Sequence, residues 1–178
     1  DYECDGTVLK INRFDFQQQL SSIGREPRWS IAYKFPATQV ITKLVDIRVN
    51  VGRTGSINPY AILEPVSVGG AIIKQSTLHN EDYICSKDIR IGDWVVIERA
   101  GEVIPRVVSP VKNRRNGKEK SFVMPKSCPS CNGALIRHDN SVKTVCVNSG
   151  CPAQLQRLLE HFVSKPAMDI SGLGIKQI

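Results

Sequence analysis

Val45-Asp46-Ile47-Arg48-Val49-Asn50-Val51 alternates apolar and polar residues at every step. A period of two sends successive side chains to opposite faces. The stretch therefore reads as a strand with Val45, Ile47, Val49 and Val51 toward a core and Asp46, Arg48 and Asn50 toward water. Working outward, from Val40 to about Val111, further β-rich runs occupy Tyr60 to Val66, Ala71 to Thr77, Trp94 to Arg99 and Val103 to Val108. Gly52, Gly55, Gly69-Gly70, Gly92-Asp93 and Gly101 punctuate them. About five short strands in roughly seventy residues fit a small closed barrel of the OB type, and an SH3-like barrel would give the same pattern.

Upstream, residues 1 to about 36 read as strand, turn, strand, with Val8, Leu9 and Ile11 apolar, Gly24 to Pro27 as breakers and Trp29 to Phe35 alternating again. Lys10 and Lys34 each close or interrupt a β-rich run, which predicts a cationic tip at the wall of a sheet, where an anion such as phosphate would neutralise it. This segment is too short to fold alone and reads as the end of a larger domain.

Downstream, Lys112, Arg114, Arg115, Lys118, Lys120 and Lys126 are relieved by Glu119, with Asn116-Gly117 and Pro125 marking a loop. A solvated linker and a phosphate contact both fit that composition. Leu155, Leu158, Leu159, Phe162 and Val163 then recur at amphipathic helical spacing, ended by Pro166. Met168 to Gly174 reads as a glycine-rich turn before another helix.

The net charge of +7 favours a polyanionic partner, nucleic acid foremost. No apolar run approaches the roughly 20 residues that span a bilayer. Of six cysteines, Cys4 and Cys85 stand alone, while Cys128-x-x-Cys131 and Cys146-x4-Cys151 form two hooks fourteen residues apart. Four thiolates so spaced can converge on one tetrahedral zinc, a closed and hence structural site; two disulfides or four buried thiols are the alternatives. His138 lies between the hooks but the quartet is complete without it. Gly52-Arg53-Thr54-Gly55 sets a guanidinium between glycines at a strand end, and Arg99 to Pro105 sets another beside an apolar step; either can meet phosphate or be a solvated surface arginine.

Asp5-Gly6-Thr7-Val8-Leu9-Lys10 and Trp29 to Pro36 around Lys34 resemble the last two nucleotide-contacting motifs of covalent nucleic-acid ligases, specifically the bacterial NAD-dependent DNA ligases. That resemblance extends in family order through Arg53 to Gly55, Leu78-His79-Asn80, Arg99 to Pro105, the cysteine quartet, Cys151-Pro152-Ala153-Gln154 and Met168 to Gly174. It departs at Cys4 and Thr7, where the family usually has aliphatic residues, and at Asn132, which stands before a glycine that more often follows the second cysteine directly. The family's nucleophilic Lys-x-Asp-Gly is absent; Glu3-Cys4-Asp5-Gly6 has a carboxylate where the amine belongs. The expectation is an interior piece of a longer enzyme.

The resemblance implies a mainly β fold with α+β flanks. The expected division is the end of a nucleotidyltransferase domain (1–37), a five-stranded OB barrel (38–111), a basic linker (112–126), a Cys4 zinc finger (127–152) and the start of a helix-hairpin-helix domain (153–178). It further implies a DNA ligase sealing nicks in replication and repair, using NAD, structural zinc on Cys128, Cys131, Cys146 and Cys151, and Mg2+ or Mn2+. Lys10 and Lys34 would clamp the adenylyl phosphate, and Asp5 would sit near the ribose or a magnesium ion. Arg53, Thr54 and Arg99 would grip DNA backbone, with Val103 and Ile104 against minor-groove sugars. The expected partners are nicked duplex DNA and NAD or AMP, for a monomer in the bacterial cytosol with no membrane role. A binding module of OB barrel and zinc ribbon without chemistry, or a decayed ligase paralogue, is the alternative.

Overall fold

The longest strand carries a β-bulge that the alternating sequence conceals. The computed structural model describes residues 4, 6–99, 104–137 and 141–178. In it β1 (Gly6–Lys10), α1 (Phe14–Leu20), β2 (Ser22–Ile23), β3 (Glu26–Pro27) and β4 (Ser30–Lys34) precede β5 (Thr38–Val51). The register of β5 against β6 (Ile57–Val68) slips between Leu44 and Asp46. Val45 is the extra residue: it is 51% exposed, while Leu44 and Ile47 on either side are buried. The Asp46 carboxylate accepts from the backbone N–H of Ile47 at 2.9 Å and helps hold the bulge. Val45 therefore does not share the inward face with Ile47 and Val51, as uninterrupted alternation would require.

Beyond β6 the chain forms β7 (Ala71–Thr77), α2 (Glu81–Lys87), β8 (Arg90–Ile91), β9 (Trp94–Arg99) and β10 (Arg106–Pro110). Strands β10, β7, β6, β5 and β9 close into a barrel in that order, with a parallel contact between β10 and β7 at Arg106 and Thr77. Numbering the barrel strands one to five, the neighbours run 1-2-3-5-4 and back to 1, the five-stranded OB arrangement. Leu44, Leu63, Val68, Leu78, Val95, Ile97 and Val107 fill the interior, each such side chain stabilising the fold by about 1.5–3 kcal/mol relative to exposure.

Two helices escape the all-β reading. In α2, Asn80 accepts from the Tyr83 N–H at 2.8 Å as N-cap, and Ile84 seals the barrel interior. In α1, no side chain is buried and no side-chain cap is made.

The basic stretch is neither free linker nor phosphate clamp at its centre. After a single 3-10 turn at Lys112–Arg114, the Arg115 guanidinium donates to Asp93 Oδ1 at 2.7 Å and Oδ2 at 2.8 Å, to Asp88 Oδ2 at 2.7 Å and to the Asp88 carbonyl. Arg115, then Arg90, hold the Asp88 carboxyl at about 2. β11 (Lys120–Ser121) pairs with β8, and Phe122 packs against the barrel core. β12 (Leu135–Arg137) and β13 (Thr144–Cys146) form a hairpin, and α3 (Pro152–Val163) follows. Residues 164–178 are turns without a further helix, and Leu155, Leu158, Leu159 and Phe162 on α3 stay about half exposed.

Candidate metal centre and nucleic-acid interface

The cysteine quartet is assembled from three local devices. Cys128 and Cys131 lie in a tight turn closed by Cys128 N–H to the Gly133 carbonyl at 2.9 Å and Asn132 N–H to the Cys128 carbonyl at 2.9 Å. Asn132 takes φ +56, a left-handed geometry asparagine tolerates, so the departure at this position costs the turn little. Cys146 ends β13, and Cys151 is the N-cap of α3, with Pro152 at the first helical position.

All four sulfurs lie within 4.8 Å of one another, with Cys128 to Cys151 at 3.9 Å and Cys131 to Cys146 at 3.6 Å. Four sulfurs each about 2.3 Å from a tetrahedral zinc stand about 3.8 Å apart, whereas a disulfide needs about 2.05 Å. The donor set fits zinc and leaves no open position. The backbone amide of Gly133, then the Asn148 side chain, lower the Cys131 thiol to about 6, while burial raises Cys146 to about 11. His138 lies outside the described residues.

The metal knuckle is bound to the barrel. Cys128, Cys146 and Cys151 share a second core with Val51 and Ile57 at the ends of β5 and β6. The turn between those strands, residues 52–56, carries Arg53 and Thr54 exposed on one side and Gly55 buried on the other. Gly55 has φ +77, and a Cβ there would collide with the Cys146 carbonyl. On the far side of the knuckle, Arg137 on β12 pairs with Asp82 at 2.7 Å and Glu81 at 3.5 Å on α2.

Arg53 and Arg99 do not cluster. Arg99 pairs with Thr38 at the start of β5, whereas the 52–56 turn follows its end, a contour of roughly 40 Å at about 3.3 Å per residue. Arg99 also donates to the Gly69 carbonyl at 3.1 Å. Arg53 and Thr54 occupy the connection between barrel strands one and two, and Ile104, 74% exposed, lies on that between four and five. Val103 lies outside the described residues. In OB-folds these two connections and the face of strands two and three bind oligonucleotides. Here that face forms a groove of about 550 Å³ lined by Asn50, Asn58, Tyr60, Gln75, Ile104 and Arg157. The sequence reading missed the groove. Its signal lay in the outward positions of β6 and β7, but Arg157 arrives only through the packing of α3.

Lys10 and Lys34 sit on a two-stranded ribbon in which Lys10 faces Ser30 and Lys34 faces Gly6. Four residues apart in register, they share one face, roughly 13 Å apart at about 3.3 Å per residue. Both are exposed, as are Val8, Leu9, Ile31 and Tyr33 on the two faces, and among the described residues β1 and β4 pair only with each other. Gly6 is required, since a Cβ there would stand 2.5 Å from the Tyr33 carbonyl oxygen. Asp5 lies outside the described residues.

Comparison with known proteins gives the same order of parts. Residues 1–38 match the NAD-dependent DNA ligase adenylation domain, 41–119 the NAD-dependent DNA ligase OB-fold domain and 127–153 the NAD-dependent DNA ligase C4 zinc finger domain. A DNA ligase of Roseiflexus castenholzii is 52% identical over 179 residues, covering 100% of this chain and 25% of that protein. Those of Anoxybacillus flavithermus and Dehalococcoides mccartyi strain CBDB1 are each 54% identical, covering 99% and 97% of this chain and 26% and 27% of theirs. The chain thus spans about a quarter of the length of the curated relatives it matches. With three consecutive domain matches and more than half of its residues shared along its whole length, the chain belongs to the NAD-dependent DNA ligase family.

Proposed function

We propose that the protein containing this chain seals nicks in duplex DNA with NAD as adenylyl donor, and that this chain supplies phosphate binding and DNA grip. The observation that carries the reading is the ordered run of three ligase domain matches over one continuous stretch. In this reaction a lysine outside this sequence displaces nicotinamide mononucleotide from NAD. The adenylyl group then passes to the 5′-phosphate of the nick, and the 3′-hydroxyl expels AMP as the new phosphodiester bond forms. Lys10 and Lys34, on one face of their ribbon, neutralise charge building on the transferred phosphate, an electrostatic role. Asp5 serves the ribose or a magnesium ion.

Cys128, Cys131, Cys146 and Cys151 hold a structural zinc. Arg53, Thr54 and Arg99 grip DNA backbone, while Val103 and Ile104 pack on minor-groove sugars. The chain divides at 37/38, 111/112, 126/127 and 152/153, with Arg115 and Phe122 tying the third segment to the barrel. The protein works on nicked DNA as a cytosolic monomer. No helix among the described residues is long and apolar enough to cross a membrane.

The test is nicked-duplex binding at several salt concentrations for Arg53→Ala, Arg99→Ala and the exposed control Lys118→Ala. Each barrel arginine should lower the slope of log affinity against log salt by about 1. If only the Lys118 change moves the slope, the DNA assignment of the barrel fails. A binding module without chemistry would give the same slopes but no adenylyl adduct in the full-length protein supplied with NAD.

A further inference from the structure

We infer that Gln154 is a positioning residue that couples the metal knuckle to the Arg53-Thr54 turn, so that DNA grip by the barrel depends on the state of the knuckle. The inference rests on the proposal that Arg53 and Thr54 contact phosphate. The turn closes on itself through Gly52 N–H to the Ser56 carbonyl at 2.7 Å and Gly55 N–H to the Gly52 carbonyl at 3.0 Å. Those bonds shape the hairpin tip. Its outer tether comes from the knuckle.

The Gly55 carbonyl accepts from the Cys146 N–H at 2.9 Å, and Ser56 bridges to Val145 in antiparallel fashion. The Cys146 carbonyl accepts in turn from Gln154 Nε2 at 3.1 Å, and the same nitrogen donates to the Asn148 carbonyl at 3.1 Å. Both amide hydrogens of Gln154 are thereby used on the loop leaving Cys146. Its side chain also roofs Gly55, since a Cβ on that glycine would stand 3.0 Å from Gln154 Nε2.

Gln154 is placed by the first turn of α3, whose N-cap is Cys151. One end of the brace therefore starts at the ligand Cys151 and the other meets the ligand Cys146. A glycine-flanked tip left without it regains backbone freedom, which a fixed phosphate contact must then overcome on binding. The ion pairs of Arg137 with Asp82 and Glu81 hold the knuckle to the barrel elsewhere, so loss of Gln154 frees the turn without detaching the knuckle.

The experiment uses the zinc-loaded full chain with Gln154→Ala and Gln154→Glu, the latter keeping the shape while losing both donors. Zinc should remain at one per chain. Amide exchange over residues 52–56 and at Cys146 should rise about tenfold in both variants, with Val95 and Ile97 unchanged. Affinity for nicked duplex should fall about fivefold, and in double-mutant cycles Gln154→Ala should add nothing to Arg53→Ala while combining multiplicatively with Arg99→Ala. Unchanged exchange in the turn overturns the proposal whatever happens to DNA binding, as does protection retained in Gln154→Glu, which would mean packing alone suffices. If exchange rises but Arg53→Ala leaves DNA binding intact, the phosphate reading of the turn is what failed, and the coupling to DNA falls with it. If exchange rises and the Gln154 and Arg53 effects multiply, Gln154 acts on DNA by another route and the inference is wrong.

Discussion

Arg115 illustrates at the residue scale how burial changes the meaning of a charge. In sequence it is one of six basic residues in a polar loop; in the fold its side chain is 16% exposed and spans Asp88 and Asp93, the latter with its carboxylate fully buried. Asp93 also accepts from the Arg90 backbone N–H at 2.8 Å, so removing Arg115 leaves a buried carboxylate with two donors fewer and without this counter-charge. Arg115→Ala should therefore cost about 3 kcal/mol of stability, and Arg115→Lys should recover only part of it, because a point charge cannot bridge two carboxylates as the planar fork does. Thermal or urea unfolding of the zinc-loaded chain measures this. An effect no larger than that of Lys118→Ala would show the clasp to be dispensable. The cysteines behaved differently: their spacing alone implied convergence, because two short hooks need only a hairpin between them to bring four sulfurs together.

At the scale of elements, local patterns were readable where each side chain had only two faces to choose between. β7 and β9 run over the residues expected of them, Ala71–Thr77 and Trp94–Arg99. The bulge in β5 was not legible, because an extra valine in an alternating run looks like continued alternation until the partner strand sets the register. α2 was missed because a seven-residue helix with one fully buried side chain has no period to detect; its one signal was Asn80 followed by Glu81 and Asp82, a cap with acids in the first turn. Asn80→Ala should destabilise the chain by about 1 kcal/mol through loss of that cap, measured by equilibrium unfolding, while Asn80→Ser should retain most of it. Equal losses in both variants would place the role of Asn80 outside capping.

For the whole molecule, barrel and knuckle have separate cores joined by the 52–56 turn and by the Arg137 ion pairs. The knuckle core consists of the cysteines and a few apolar neighbours, so its stability depends on the ion, at about 10 kcal/mol in small finger peptides. Chelation should release one zinc per chain and abolish amide protection over residues 128–151, while Val95, Ile97 and Val107 in the barrel keep theirs. Loss of protection throughout the chain would mean that the barrel cannot stand without the knuckle. Along α3, the half-exposed Leu155, Leu158, Leu159 and Phe162 keep the amphipathic pattern read from sequence, with no described element packed over them.

By itself the sequence determined the β-barrel class, the order of parts, the cysteine quartet and the family. The barrel class and the quartet depend on spacing along the chain, which local geometry translates into faces, turns and chelating hooks. The order of parts and the family came from the resemblance of successive motifs. Tertiary structure alone decided that Arg115 is an internal clasp and that Arg53 and Arg99 stand at opposite ends of β5. It alone also decided that Gln154 reaches the Arg53 turn through Cys146. These depend on which distant segments meet, and contacts between residues far apart in sequence are set by strand register and core packing, which leave no periodic trace in the chain.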